Sequence, residues 1–235
     1  MPIGRPRRHF RTTDSTNDRA RELAGAGAPS GTVVTADEQT AGRGRYGRTW
    51  EAPAGSALLY SAVLRPPASE HSLLPLLAAV ATAEAIESVS PHECGIKWPN
   101  DVWIDERKVG GILIESRAAE WAVVGIGVNV SISPDDFPGD LRWPATSVGS
   151  GASVERVLRA LNDSLTEWLA AETTSLLDAY RPRDALNGRP IQWSRSPGEP
   201  PIPGTAAGVD DDGNLLLAAP DELVAVSSGE VQIRD

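Results

Sequence analysis

The most constraining feature of this chain is a segment that no regular element can absorb. It runs Asp37-Glu38-Gln39-Thr40-Ala41-Gly42-Arg43-Gly44-Arg45-Tyr46-Gly47-Arg48-Thr49-Trp50, with three glycines and three arginines between a β-branched run and an aromatic residue. Glycine at every second or third place leaves the backbone many conformers, and the guanidinium groups repel one another unless an anion lies between them. Arginine supplies planar, bidentate, permanently charged donors, while glycine lets backbone N–H groups approach an anion closely. The segment reads as a loop for phosphate or carboxylate, ordered when such a ligand is present.

Charge sharpens this. The 235 residues carry a formal net charge of -10, which argues against a general nucleic-acid binder. The first 50 residues hold nine arginines against five acids, a surplus of +4, so the remainder carries -14 and the loop is a cationic island on an acidic protein. Of 22 basic residues only Lys97 and Lys108 are lysines, and they share one short segment. Either two rare residues fall together by chance or a compact ammonium is wanted there. At 40% hydrophobic residues the chain can bury a core. With one cysteine, Cys94, no apolar signal core and no run of membrane-spanning length, it reads as cytoplasmic with no membrane partner.

The pattern predicts two domains behind a short arm. Residues 1–12 read as a basic, solvated N-terminal arm. Asp14-Ser15-Thr16-Asn17 leads into a helix over Asp18 to Ala26, where the three polar residues suit either helix capping or ligand contact. Thr32 to Ala36 is a strand delivering the chain into the arginine loop, and Ala57 to Leu64 is a buried strand stopped by Pro66-Pro67. Ser72 to Val89 reads as a helix, Gly95 to Trp98 as a strand ending at Pro99, and Val102 to Glu115 as a hairpin with Gly110-Gly111 in its return. Trp121 to Val130 is a further glycine-interrupted strand, followed by a loop from Asp135 to Ser150. Helices are expected over Ala152 to Ala171 and Thr173 to Ala185. A boundary near 186 then separates domain 13–186 from domain 187–235, where five short strand candidates and the turn signal Asp212-Gly213 suggest a small barrel.

Familiar catalytic patterns are mostly missing. There is no GxxxxGK[ST] or GxSxG, and GxGxxG is met only by the arginine loop, without the apolar helix that should follow. His9, His71 and His92 are scattered and have no ligand at metal spacing. What remains is an anion-handling site in which Arg43, Arg45, Arg48, Lys97 and Lys108 gather on a glycine-lined sheet face. That suits phosphate chemistry by positioning and charge stabilisation, such as adenylation of a carboxylate by ATP.

Five motifs in order now carry a resemblance: Asp14-Ser15-Thr16-Asn17, Gln39 to Arg45 through Trp50, Lys97-Trp98-Pro99-Asn100-Asp101, Lys108-Val109-Gly110-Gly111-Ile112-Leu113 and Gly125-Ile126-Gly127-Val128-Asn129. Over about residues 13 to 130 the chain closely resembles the biotin protein ligases. The resemblance implies an α+β fold, a mixed sheet flanked by helices like the class II synthetase cores, followed by an SH3-like β-barrel. It implies two steps: biotin and Mg-ATP (biotin and ATP as substrates, Mg2+ as the metal) give biotinyl-5′-AMP, and a lysine on the biotin carboxyl carrier domain of an acetyl-CoA, acyl-CoA or pyruvate carboxylase then takes the biotinyl group. By motif, Ser15, Thr16, Asn17 and Gln39 would hold biotin, Gly42 would line the pocket, and Gly111 and Gly125 would let backbone meet ligand. Arg43, Arg45 and Arg48 would close over the phosphates, Trp50 would cover the adenylate, and Lys108 would bind carboxylate and α-phosphate. Lys97, Asn100 and Asn129 would face the nucleotide, with Glu230 and Arg234 completing that side. The catalytic residues implied are Lys108, Arg45 and Arg43. Too few residues precede Asp14 for the winged DNA-binding domain of repressor-type members, so no DNA binding is expected, while a weak homodimer is compatible with this reading. The rivals are a lipoate or octanoate ligase or transferase on a related core, and a non-enzymatic Arg-Gly RNA-binding module.

Overall fold

The computed structural model describes residues 2–65, 72–117, 119–139, 141, 143–149, 151–220 and 222–234. In chain order the elements are β1 (Arg7–Thr13), α1 (Thr16–Gly25), β2 (Val33–Gln39), β3 (Ala57–Leu64), α2 (Leu74–Glu87), β4 (Gly95–Lys97), β5 (Asp101–Ile104), β6 (Arg107–Arg117), β7 (Trp121–Asn129), α3 (Val154–Trp168), α4 (Thr173–Tyr180), β8 (Pro190–Ser194), β9 (Ile202–Val209), β10 (Leu215–Ala218), β11 (Leu223–Val226) and β12 (Glu230–Ile233). The first seven strands make one sheet in the order β1-β2-β3-β7-β6-β5-β4, and the last five make a second in the order β11-β10-β9-β8-β12. Only β1 and β2 pair in parallel, joined through α1, so the large sheet is mixed. The small sheet is antiparallel throughout.

The period of two in β3 and β7 decides what covers each face. Leu58, Tyr60, Ala62 and Leu64, with Val124, Ile126 and Val128, point to the side where α2 and α3 pack, and they join the main core. Val34, Val63 and Val123 point to the other side and pack with Ala20 and Ala24 of α1. That helix is only ten residues long and covers part of this face. The uncovered part, toward Leu59, Gly125, Gly127 and Gly111, is where the site lies.

Two expectations need correction. The arm at 1–12 is exposed but not free: Arg7–Thr13 forms edge strand β1, Ile3 is buried, and the Ile3 N–H donates to Thr166 Oγ1 at 2.9 Å. An edge strand tolerates a charged outer row, so its arginines hid the strand. The helix expected to reach Ala185 ends at Tyr180 and becomes a 3-10 turn at Arg181–Arg183, because Pro182 lacks the N–H that another helical turn needs. Asp212-Gly213 does sit in a hairpin connection: antiparallel β9 and β10 are joined by residues 210–214, closed by Asp210 Oδ1 accepting from the N–H groups of Asp212 and Asn214 at 3.0 and 2.8 Å. A two-residue turn, Asp105-Glu106, joins β5 and β6, with φ of 47 and 59 at the two residues. The stop assigned to Pro66-Pro67 lies outside the described residues.

The small sheet is seated on the large domain. Its Ile191, Ala206, Leu215, Leu217, Val226 and Val231 belong to the same apolar cluster as α2. The contact closes at Gly213, whose φ is +79 and whose carbonyl accepts from Trp98 Nε1 at 3.1 Å. A Cβ there would lie 2.5 Å from Leu73 Cδ2 and 2.8 Å from Leu76 Cδ1. Gly213→Ala combines a left-handed backbone with a clash and should destabilise the protein by about 2 kcal/mol. A denaturant midpoint equal to that of the parent would refute this docking role.

Candidate active site

The site is built on a gap in the sheet. Register places Lys97, Asp101, Gly111, Gly127 and Leu59 in one cross-strand row, and Leu113, Gly125 and Ser61 in the next row on the same face. Glycine at 111, 125 and 127 removes three adjacent side chains, and other residues occupy the space. A Cβ on Gly127 would lie 2.5 Å from Trp50 Cε2, and one on Gly111 would lie 3.2 Å from both Trp50 Cζ3 and Lys108 Nζ. One on Gly125 would lie 2.1 Å from Asn17 Oδ1. Gly111 and Gly125, expected to let backbone meet ligand, both line the cavity, and with Gly127 they also make room for the side chains that form its wall. The cavity above them measures about 530 Å³, within the range for a small-molecule site.

One end of the cavity is buried, uncharged and dense in hydrogen bonds. Ser15 stands at the N-cap of α1, yet no side-chain capping bond forms there, and Asp14 Oδ1 instead accepts from Ser15 N–H at 2.7 Å. That bond, with the pair to Arg19, holds the Asp14 carboxyl below its ordinary range. Of the two roles open to these polar residues, Thr16 and Asn17 do not cap; their side chains turn inward. Gln39 Oε1 accepts from Thr16 N–H at 2.7 Å and lies 3.0 Å from Thr16 Oγ1. Ser61 Oγ lies 2.8 Å from Thr16 Oγ1 and 2.6 Å from Asn17 Oδ1. Asn17 Nδ2 donates to Glu115 Oε2 at 2.7 Å, which fixes the direction of the amide. The chain Gln39–Thr16–Ser61–Asn17 thus has acceptors at both ends and two hydroxyls between, so two protons serve three contacts.

The other end is cationic. Arg43, Arg45, Arg48, Lys97 and Lys108 all line the cavity, with Asn100 and Asn129. Lys108 Nζ donates to Asp101 Oδ1 at 2.6 Å and stands 5.7 Å from the centre of the Trp50 ring. Lys97 is buried, 4.8 Å from the Trp143 ring centre and 5.8 Å from that of Trp103. Asn129 Nδ2 donates to Thr146 O at 3.0 Å, tying β7 to the segment that carries Trp143.

The arginine loop is organised by the chain itself. Trp50 N–H donates to Gly42 O at 3.0 Å and Gly44 N–H to Arg48 O at 2.7 Å, which closes the loop into a hairpin-like turn. The expected repulsion among guanidiniums is relieved by carboxylates of this chain. Arg43 Nη2 reaches Asp18 Oδ1 at 2.9 Å and Glu115 Oε2 at 3.1 Å, and Arg48 pairs with Glu230. Arg45 donates to Asn100 Oδ1 and to Gly229 O, each at 3.2 Å. The loop therefore touches both sheets. Two of its donors, Arg43 Nε and Trp50 Nε1, are buried without a protein acceptor.

Most predicted site residues converge here, but two do not line the cavity. Gly42 is buried behind it, where a Cβ would meet Trp50 O at 2.3 Å, so its smallness serves the loop's backbone. Arg234 is exposed outside the cavity and contributes its backbone N–H to Pro190 O at 3.0 Å, whereas Glu230 does reach the site. Trp50, expected to cover the adenylate, lines the cavity with its ring against Gly127 and Gly111. Asp101, Ser61 and Glu115 were missed. Ser61 is a polar residue inside the apolar run ALLYSAVL, and Glu115 ends the apolar run GILIE, so each broke a pattern that was read only for its apolar members.

Comparison with known proteins places this geometry. The family described as Biotin/lipoate A/B protein ligase matches residues 9–131, and the Biotin protein ligase C terminal domain matches residues 188–234. The chain is 36% identical over 242 residues to the biotin--[acetyl-CoA-carboxylase] ligase of Paracoccus denitrificans, covering 93% of this chain and 97% of that one. It is 34% identical over 230 residues to the protein of the same name from Mycobacterium tuberculosis, covering 93% and 85%. Its fold is similar to a solved biotin protein ligase from Aquifex aeolicus in complex with biotin and ATP, at a TM-score of 0.85 and 28% identity over 98% of this chain and 99% of that one. With both the large domain and the small C-terminal sheet matched, the chain belongs to the biotin protein ligase family.

Proposed function

We propose that this protein is an ATP-dependent ligase that converts biotin to biotinyl-5′-AMP and passes the biotinyl group to a lysine of a carboxylase's biotin carboxyl carrier domain. The observation that carries the reading is the two-ended cavity: a buried, uncharged hydrogen-bonding end beside a cationic end, joined over a glycine floor. Biotin has matching ends, a ureido ring and a carboxylate. Matches to proteins named as biotin ligases, and to a structure with biotin and ATP bound, support it.

Ser15, Thr16, Asn17 and Gln39 would receive the ureido ring, whose N–H groups and carbonyl match the acceptors and hydroxyls gathered at this end. In the first step a biotin carboxylate oxygen attacks the α-phosphorus, the bond to the β-phosphate oxygen breaks, and pyrophosphate leaves. Lys108, fixed by Asp101, would stand between carboxylate and α-phosphate and stabilise charge as the pentacoordinate phosphorus forms. Arg43, Arg45 and Arg48 would exchange partners from the chain's own carboxylates and carbonyls to phosphate oxygens, a bidentate match that arginine suits. Lys97, Asn100 and Asn129 would lie on the nucleotide side. In the second step the carrier's neutral amine attacks the acyl carbon, the bond to AMP breaks, and the amine loses a proton. Magnesium would enter with ATP: among the described residues no group of three or more His, Cys, Asp or Glu forms a metal cage, which fits an ion held chiefly by phosphate and water.

No helix among the described residues is long and apolar enough to cross a membrane. The lipoate rival lacks the support that the C-terminal match gives to biotin.

The direct test is incubation with biotin, Mg-ATP and a carrier domain, followed by weighing the carrier. A gain of one biotinyl group is expected, and an unmodified carrier with all substrates present would sink the reading. Lys108→Ala should keep the fold and lose biotin-dependent pyrophosphate exchange by roughly 10³-fold, the scale of a lost transition-state donor; near-parental exchange would reject its role. Arg45→Gly should release biotinyl-adenylate about tenfold faster, as expected for one charge-assisted hydrogen bond. An unchanged dissociation rate would count against loop retention of the intermediate.

A further inference from the structure

Glu115 lies behind the cavity wall and touches both ends of the machinery without lining the cavity. On one side Glu115 Oε2 accepts from Asn17 Nδ2 at 2.7 Å. On the other, Oε2 and Oε1 accept from Arg43 Nη2 at 3.1 and 3.3 Å. Asn17 and Arg43 come from segments 26 residues apart, the α1 turn and the arginine loop, and Glu115 is the β6 residue that holds both. Asn17 is buried, and its amide has no freedom to turn: with Nδ2 committed to Glu115, Oδ1 faces Ser61 and terminates the hydroxyl chain. Were the amide reversed, Nδ2 would face Ser61 Oγ and Oδ1 would face a carboxylate, an acceptor against an acceptor.

From this geometry we infer that Glu115 is a positioning residue that couples biotin recognition to closure of the arginine loop. It acts through Asn17 on the ureido end and through Arg43 on the phosphate end. Its carboxylate is shared: Asn17 contributes a neutral donor and Arg43 a charged one, and Arg21 Nη1, about as exposed as Arg43, adds a contact at 3.3 Å. A ligand that draws Arg43 toward phosphate weakens its hold on Glu115 and leaves that carboxylate more fully to Asn17. Adenylate formation thereby tightens the grip on the biotin end, so the reactive anhydride is held at both ends at once.

This inference rests on the ligase reading, and its test separates the two. Glu115→Gln keeps the shape but removes the charge. It should weaken biotin binding about tenfold by calorimetry and speed biotinyl-adenylate release about tenfold, with the KM for ATP within about twofold of the parent. A generally damaged fold would not produce the next pattern. In an Asn17→Ala background, Glu115→Gln should lose its effect on biotin affinity and on adenylate release alike, because both run through Asn17. In an Arg43→Ala background, which leaves the carboxylate wholly to Asn17, Glu115→Gln should keep both effects. Biotin affinity and release rate both within twofold of the parent, or equal losses in all backgrounds, would overturn the role of Glu115. Should Glu115→Gln fail to fold, Glu115→Asp retains the charge but withdraws the carboxylate by one methylene, and the same cycles apply. Absence of biotin-dependent pyrophosphate exchange in the parent protein would instead overturn the ligase reading itself.

Discussion

The structure depends on a hole kept open in a sheet. Seven strands and three large helices could bury both faces with ordinary apolar side chains, and on the face toward α2 and α3 they do. On the opposite face α1 covers Val34, Val63 and Val123, and beyond it the two rows across β6 and β7 offer Gly111, Gly125 and Gly127, with Leu113 as the one side chain among them. Close packing does not tolerate an empty strip of that size, so something must fill it. Trp50 and Asn17 do, each from a segment outside the sheet, and each brings a polar group to a fixed height above the strands. The cavity is what remains above them. A methyl group on any of these glycines would move a cavity wall, which is why their conformational freedom matters less here than their lack of volume.

The same economy governs charge. Three arginines in a six-residue stretch would make a loop of poor stability without counter-charges, and the fold supplies these from three places: Asp18 on α1, Glu115 on β6 and Glu230 on β12. Arg43 and Arg48 keep about a third to a half of their side-chain surface in solvent, so each pair contributes only modestly. Modest pairs are easily displaced, which suits the phosphate-binding role proposed for these guanidiniums. Lys108 and Asp101 differ, because that pair is more buried and sits on strands rather than on a loop. Because Arg45 and Arg48 reach Gly229 and Glu230, the loop closes against the small sheet, and the C-terminal domain is part of the site's wall.

Much of this was legible in the residues. The β-branched and apolar runs placed β2, β3 and the strands of the small sheet, and the five motifs converged with few exceptions. The losses share a cause. β1 was missed because an edge strand shows its charges to solvent and loses the alternation that betrays inner strands. Glu115 and Asp101 were passed over because a carboxylate at the end of a strand reads as a solvated terminus until its cationic partner, 72 residues away for Arg43, is seen beside it. The glycines were recognised as unusual, but no local pattern says whether a missing side chain admits a ligand or another side chain. Arg234 was misplaced for the converse reason: a short C-terminal likeness fixes the strand without fixing which of its side chains faces the cavity.

The hydroxyl chain on the cavity floor bears on the choice between biotin and a lipoyl ligand. Gln39 Oε1 and Asn17 Oδ1 are both held as acceptors by other bonds, to Thr16 N–H and through Glu115, so neither amide can reverse to supply a proton. Ser61 is fully buried and can reach only its two neighbours. A ligand N–H that reaches Thr16 or Asn17 would add a donor to this acceptor-rich chain. A ureido ring offers two N–H donors beside a carbonyl acceptor, whereas a dithiolane offers weak sulfur acceptors and no donor. A site built around a hydrogen-bonding ligand leaves buried polar groups unpaired when an analogue without them enters, and that asymmetry can reach roughly 10⁴-fold in selectivity. An acceptor-rich end of this kind, built by Thr16, Asn17 and Gln39 and ordered from behind by Glu115, favours a ligand that brings N–H donors.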